Sequence, residues 1–492
     1  MSYFMQDLRF ALRTLRKSPV FTTVAILSLA LGIGVNTALF SVVDRLLLRS
    51  LPLKDPEAVV LLDSERFMPG RHMNDQAFSY PGYKELRERN EVFTGVLARF
   101  ASPVSLTSKN NTLMASAELI SGNYFEVLGL TAEAGRLLTA EDDQTRGGNP
   151  VVVISHGYWT RRFGGDRSVI GSKILLNGYP FEIAGVAPRG FEGLMVGQEM
   201  EVFVPLSMKP QITPTWDGLD DRRTWFLNVF ARLRPGVSRE QAQTRLAPLQ
   251  RQILEADLAA LPGGDAGSRD RAMQAKLRVR PGDQGRSALR APMRAPLFVL
   301  MFMVGLVLLI ACANIANLLI ARAANRQREI AIRLSIGASR LDLIRQLMTE
   351  SAVLALAGGT LGMLVSVWVG EILLNFTTRT GADFGSPDWS APDARILFVN
   401  FAVSILTAFL FGLIPAWKGT RPAVSSTLKD QSGSISSGIR DVRARKGLVI
   451  AQIALSLLLL FGATLFARSL YNLRNLDPGF IASNLITFGI DP

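Results

Sequence analysis

The chain has 492 residues, 48% of them hydrophobic, with a mean hydropathy of +0.23 and a formal net charge of +13. That is too apolar for an ordinary soluble protein and too polar for one lying wholly in a membrane, so several spans plus a sizeable water-exposed domain are expected. One cysteine, Cys312, and two histidines, His72 and His156, exclude an intrachain disulfide framework or zinc cluster, and no HExxH occurs to support metal catalysis.

Residues 1–19 predict a cytoplasmic amphipathic helix, with Phe4, Leu8, Ala11, Leu12 and Leu15 on one side and Arg9, Arg13 and Arg16 on others. Such a helix would lie along the inner membrane face. Residues 20–44 form a first span, longer than the apolar region of a signal peptide and followed by no convincing cleavage site. Ala30, Gly34 and Ala38 recur every fourth residue, a small-residue face for close helix packing. Asn36 is a polar residue at depth, read as bonding a neighbouring helix in preference to a transported ligand.

Residues 45–296 form a large outer region in which short strand-like runs alternate with turns. VVVIS (151–155), KILLN (173–177), FEIAGVA (181–187) and EVFVPL (201–206) read as strands, and Asn177-Gly178 as a hairpin turn. Helical patterns over 83–89 and 238–256 make the domain α+β. Trp159, Phe163, Gly164 and Gly165 read as a helix end and turn packed on a sheet instead of a ligand platform. His156 and Asp166 have no GxSxG beside them. No aromatic cage, acidic pocket or ligand motif is legible in this region. The polar stretch 257–296 predicts a surface loop, one more strand at 275–280, and a lead into the membrane.

The second span covers 297–321 and carries Asn314 and Asn317 on one face, read as interhelical glue, with a lining role the alternative. A cytoplasmic hairpin occupies 322–350. The third span, 351–376, contains Gly358-x-x-x-Gly362, a close-packing signal. A short outer loop (377–394), a fourth span (395–417), a basic cytoplasmic linker (418–446) and a fifth span (447–469) follow. Residues 470–492 read as the start of a second outer domain that stops mid-strand, as if truncated. The basic segments before the first span, in the hairpin and before the fifth span fall on one side when five spans are counted. The amino terminus is then cytoplasmic and the 45–296 domain outside.

The hairpin is built as more than a charged loop. Arg322, Arg326, Glu329 and Arg333 share one helical stripe, and Glu329 precedes Arg333 by four, the favourable order for an ion pair. Ile330, Ile332, Leu334 and Ile336 supply apolar surface, Gly337 ends the first helix, and Ser339 with Asp342 starts a second. A loop that only fixed orientation would not need this design, so a docking element is the sharper reading.

ReiaiRLsiGAsRldlirQlmtEs with the following AGGTLGMLV resembles the loop between the second and third spans of MacB/FtsX-type ABC transporter permeases. The opening, DLRFALRTLRKSPVFTTVAILSLALGIGVNTALFSVVDRLLLRSLP, resembles the start of MacB-like permeases, especially the long duplicated kind. SGNYFEVLGL, AGRLLTAED and the 151–188 stretch resemble their periplasmic core domain. The resemblance implies a multi-pass α-helical membrane protein with a large extracytoplasmic α+β (MacB-like periplasmic core) domain in the cell inner membrane. Its outer domain would be split, with a strand-and-helix subdomain from near 50–130 and 225–285 and a mostly β insertion between them. The resemblance also implies an ATPase-coupling interface at Arg328, Glu329, Ile332, Arg333, Ile336, Gly337, Ala338, Ser339 and Arg340.

No GxxxxGK[ST] occurs, so ATP and Mg are expected on a separate cytoplasmic ABC ATPase subunit, with no cofactor on this chain. Membrane lipid is a further expected partner and nucleic acid is not. A homodimer, a pseudo-dimer with a second permease half, and a periplasmic adaptor all stay open. The leading expectation is mechanotransmission, ATP hydrolysis moving the outer domain for export or extrusion. The alternative is an FtsX-like regulator or scaffold controlling an extracytoplasmic enzyme. A membrane enzyme is the weakest class, because no acid, base or nucleophile cluster stands out.

Overall fold

The computed structural model describes residues 2–64, 66–68, 71–73, 78–108, 111–260, 273, 277–287, 290–325, 332, 336, 339–379, 394–419 and 436–475. The described residues divide into two compact units, one holding the chain up to Arg45 and from Ala291 onward, the other Leu46–Arg290.

In the membrane unit, α1 (Ser2–Arg16) and α2 (Pro19–Val43) open the chain. In the outer unit come β1 (Val59–Ser64), β2 (Arg66–Met68), β3 (Arg71–Met73), α3 (Tyr80–Arg89), β4 (Phe93–Ser108), β5 (Asn111–Ile120) and α4 (Tyr124–Leu128). They are followed by β6 (Ala134–Gly135), β7 (Val151–Ile154), α5 (His156–Phe163), β8 (Lys173–Leu176), β9 (Tyr179–Val186) and β10 (Val202–Pro205). α6 (Lys209–Ile212), β11 (Asn228–Leu233), α7 (Arg239–Ala259) and β12 (Leu277–Pro281) complete that unit.

One mixed sheet of ten strands runs β12-β1-β11-β4-β5-β10-β7-β9-β6, with β8 pairing β4 and β9. The split arrangement expected from the sequence is joined by hydrogen bonding. β10 pairs parallel with β5, Val202 opposite Ala117, so the inserted strands continue the same sheet and do not form one of their own. Alternation explains why the sheet is buried on both faces. Val60, Leu62, Val96 and Ala98 enter one core with Tyr83, Leu246 and Ile253 of α3 and α7. Their neighbours Val59, Leu61 and Leu97 enter a second core with Tyr124, Phe125, Phe191 and Phe203.

Local rules set the turns. Asn177 and Gly178 take φ of 50° and 79° between β8 and β9, the left-handed pair a two-residue hairpin requires. Ser79 caps α3 by accepting from the Gly82 N–H at 3.1 Å, and Ser238 caps α7 by accepting from Gln241 at 3.2 Å. α5 ends at Gly164, and the indole of the buried Trp159 donates to the Asp166 carbonyl at 2.8 Å. That fixes the residues around Gly164 and Gly165 as a helix end seated on the sheet.

The membrane unit continues with α8 (Arg290–Asn325), α9 (Arg340–Arg379), α10 (Ala394–Gly419) and α11 (Ser436–Arg474). Among the described residues four helices are long and apolar enough to cross a membrane, over Pro19–Leu48, Arg290–Arg322, Arg340–Ile372 and Val449–Ser469. A shorter apolar helix covers Ala394–Leu410. The sequence places a second hairpin helix from Ser339 and a third span over 351–376. Both lie in α9, one helix of 40 residues, because neither proline nor an end-forming glycine separates Arg340 from the apolar run.

Candidate functional site

The centre of the membrane unit is the crossing of α2 and α9. A Cβ on Gly34 would stand 2.7 Å from the Gly362 carbonyl oxygen and 2.9 Å from Val365 Cβ. One on Gly362 would stand 3.1 Å from the Ala30 carbonyl oxygen, and one on Gly358 would stand 2.6 Å from Leu29 Cβ. The two small-residue stripes therefore face each other, backbone against backbone, the geometry that dispersion-driven packing in lipid needs. Ala30 and Ala38 are both buried.

Polar side chains tie other helices to this pair. Asn36 Nδ2 donates to the Gly32 carbonyl at 2.8 Å and across to Val304 of α8 at 3.1 Å. Asn400 Nδ2 of α10 donates to Thr37 Oγ1 at 3.2 Å. Asn314 is exposed, and Asn317 Oδ1 has no hydrogen-bond partner among the described residues. The link from α10 falls to Asn400, which sequence reasoning passed over because it stands near one end of its apolar run.

The hairpin is anchored at both ends. Arg322, near the end of α8, donates to the Thr14 carbonyl at 3.1 Å and to Ser18, and its guanidinium lies 5.0 Å from the Phe21 ring centroid. On α9, Arg345 Nε donates to Asp7 of α1 at 2.7 Å, and Leu343 is buried. Ser339 caps α9: its Oγ accepts from the Asp342 N–H at 3.2 Å and donates to the Asp342 carboxylate. The Ser339 hydroxyl holds the Asp342 carboxyl below its usual pKa. Ile336 N–H donates to the Ile332 carbonyl at 3.1 Å, one helical turn. Ile332, Ile336 and Leu341 are 48%, 81% and 76% exposed, and Arg340 is exposed beside them in sequence. Arg328, Glu329, Arg333, Gly337 and Ala338 lie outside the described residues.

The outer unit holds two polar clusters that the sequence did not disclose. In the first, Arg99 Nε donates to Glu118 Oε1 at 2.5 Å with both side chains buried, and Tyr124 donates to the same oxygen at 3.2 Å. Asn228 Oδ1 accepts from Arg99 at 3.1 Å and from Arg286 at 2.9 Å. Burial pushes the Glu118 carboxyl up, against the opposing pull of Arg99. In the second, the buried Lys209 ammonium donates to Thr213 Oγ1 and the Trp216 carbonyl, both at 2.7 Å. It lies 3.6 Å from the Trp216 ring centroid, 5.0 Å from Phe226 and 5.3 Å from Phe100. Burial brings its pKa down to about 8. The aromatic cage that no motif announced is thus present and filled by the chain's own lysine. Its walls come from distant strands and loops, so only the fold assembles it.

These features define a multi-pass membrane protein with a large outer α+β domain and an anchored hairpin between two of its spans. A family model described as MacB-like periplasmic core domain matches residues 22–249, and one described as FtsX-like permease C-terminal matches residues 301–423. The macrolide export ATP-binding/permease protein MacB of Escherichia coli strain K12 is 24% identical over 427 residues, which cover 85% of this chain and 60% of that protein. The protein of the same name from Shigella flexneri matches to the same extent. The chain thus spans 60% of the length of the curated relatives it matches. Among solved structures, the periplasmic region of MacB from Actinobacillus actinomycetemcomitans aligns with a TM-score of 0.31 at 18% identity, over 40% of this chain and 84% of that one. The extracellular domain of the noncanonic ABC-type transporter YknZ from Gram-positive bacteria aligns with a TM-score of 0.32 at 18% identity, over 39% and 93%. With both domains present and in order, the chain belongs to the MacB/FtsX-type ABC permeases.

Proposed function

We propose that this chain is the membrane subunit of an ABC system in which a separate cytoplasmic ATPase, carrying ATP and Mg, docks on the hairpin and drives movement of the outer domain. The observation that carries this reading is the apolar surface offered around the capped start of α9 by Ile332, Ile336 and Leu341, with Arg340 among them. Large aliphatic side chains bordered by charge suit the core and rim of a protein interface. The anchors at Arg322 and Arg345 support a second requirement, that a push on the hairpin is passed to α1, α8 and α9 and not absorbed locally. The three basic segments favour a cytoplasmic amino terminus and an outer Leu46–Arg290 unit.

Export is the favoured output, since the curated relatives are named for macrolide export and ATP binding. A partner chain or second permease half would complete the assembly, and a periplasmic adaptor would extend it outward. The test is affinity purification from native membranes in mild detergent, beside an Ile332→Asp, Arg333→Glu variant. A Walker-motif ATPase that comes down with the parent and is lost from the variant is the expected result. An ATPase retained equally by both removes the hairpin as the docking site. An extracytoplasmic hydrolase recovered with no ATPase turns the reading to membrane regulation.

A further inference from the structure

One face of α1 is already occupied. Ala11, Thr14 and Leu15 are buried, Asp7 accepts from Arg345 at 2.7 Å, and the Thr14 carbonyl accepts from Arg322 at 3.1 Å. At 100° per residue the opposite face carries Arg9, Arg13 and Arg16, with Lys17 just beyond the helix end. All four are exposed, and among the described residues no carboxylate pairs with any of them. Asp7 is the sole acid in α1 and it is committed to Arg345. Beside the cationic stripe, Met5 and Leu12 are 54% and 53% exposed, two helical turns apart, each four residues before an arginine.

We propose that this face of α1 is a contact for anionic phospholipid, with Met5 and Leu12 entering the boundary between headgroups and acyl chains and the guanidiniums of Arg9, Arg13 and Arg16 meeting lipid phosphates. The pattern matches what an in-plane amphipathic helix needs, apolar burial together with attraction to anionic headgroups. Position supports it, because Ser18 and Pro19 follow directly and begin α2, which places α1 where the chain enters the bilayer. A zwitterionic surface would bury the apolar stripe and leave the charges unanswered. An acidic protein surface would answer the charges and leave Met5 and Leu12 in water. The contact does not depend on ATPase docking, and its test contains no ATPase.

The full chain, as a Cys312→Ala, Leu12→Cys variant, is labelled with bimane at residue 12. It is placed in nanodiscs of phosphatidylcholine alone or of phosphatidylcholine rich in phosphatidylglycerol. The expected result is a blue shift of emission on including phosphatidylglycerol, reduced by high salt. The shift is expected to vanish when Arg9, Arg13 and Arg16 are all changed to Gln and to persist when they are all changed to Lys, which keeps charge and tests for misfolding. Identical spectra in the two lipids, an unchanged shift in the Gln variant, or a lost shift in the Lys variant would overturn the proposal. So would a probe indifferent to phosphatidylglycerol but shifted by added polyglutamate, which would point to an acidic protein instead.

Discussion

Gly34→Ala tests the crossing on which the membrane unit is built. The added Cβ would meet the Gly362 carbonyl oxygen at 2.7 Å and Val365 Cβ at 2.9 Å. A backbone carbonyl cannot rotate aside as a side-chain tip can, so α2 and α9 must separate by roughly 0.5 Å to restore ordinary contact, a form of overpacking that typically costs about 1–3 kcal/mol. Gly362→Ala is milder, since its Cβ would lie 3.1 Å from the Ala30 carbonyl oxygen and the Gly34 nitrogen. It should lose on the order of 1 kcal/mol, at the low end of that range. Gly305→Ala on α8 meets nothing within 4 Å and serves as the control. Unfolding midpoints of the whole chain in one detergent, followed by tryptophan emission, should rank Gly34→Ala below Gly362→Ala and both below Gly305→Ala. A Gly34→Ala chain as stable as the Gly305→Ala control would refute the close approach.

Four further outcomes are expected. Folding lowers the Lys209 pKa from 10.5 to about 8, so the folded chain releases this proton first and the group's contribution to stability rises with pH between those values. Tryptophan emission should show a step near pH 8, from the ammonium over Trp216, that Lys209→Met abolishes; a step surviving in that variant would assign it elsewhere. Arg99→Met strands a buried carboxylate and should destabilise the chain by about 3–5 kcal/mol, whereas adding Glu118→Leu should recover part of the loss in denaturant titration. Asn36→Leu removes a bond between α2 and α8, and a loss near ~0.6 kcal/mol in unfolding measurements is expected. Ser339→Ala removes the α9 cap and should weaken the hairpin by about 1 kcal/mol, read as faster amide exchange in the first turn.

What was legible in the sequence followed from short-range rules. Apolar run length marked the spans, four-residue spacing of small residues marked Gly34 and Gly358, and Ser339 three before Asp342 marked a helix start. Each of these signals lies within a few residues along the chain. The Arg99–Glu118 pair, the Lys209 cage and the Asn400–Thr37 bond join residues far apart in sequence, and their individual types carry no sign of a partner. The joining of the outer domain into one sheet escaped notice for the same reason. A parallel pairing of β5 with β10 leaves no turn between them to read. The continuity of α9 was hidden differently, since the change from polar to apolar composition near residue 350 marks where a helix enters lipid, not where it ends.

That continuity makes α9 longer than a bilayer is thick. At 1.5 Å per residue its 40 residues form a rod about 60 Å long, roughly twice the hydrocarbon thickness of a bilayer. The glycine crossing with α2 lies near its middle: 18 residues, about 27 Å, separate Arg340 from Gly358, and 17 residues, about 26 Å, separate Gly362 from Arg379. The rod is held at more than its middle: Arg345 near its start bonds Asp7 of α1, and Ser351 and Gly359 lie against Gly412 and Ser404 of α10. The glycines at the crossing set how closely α2 approaches this rod, and they do so by having no side chain.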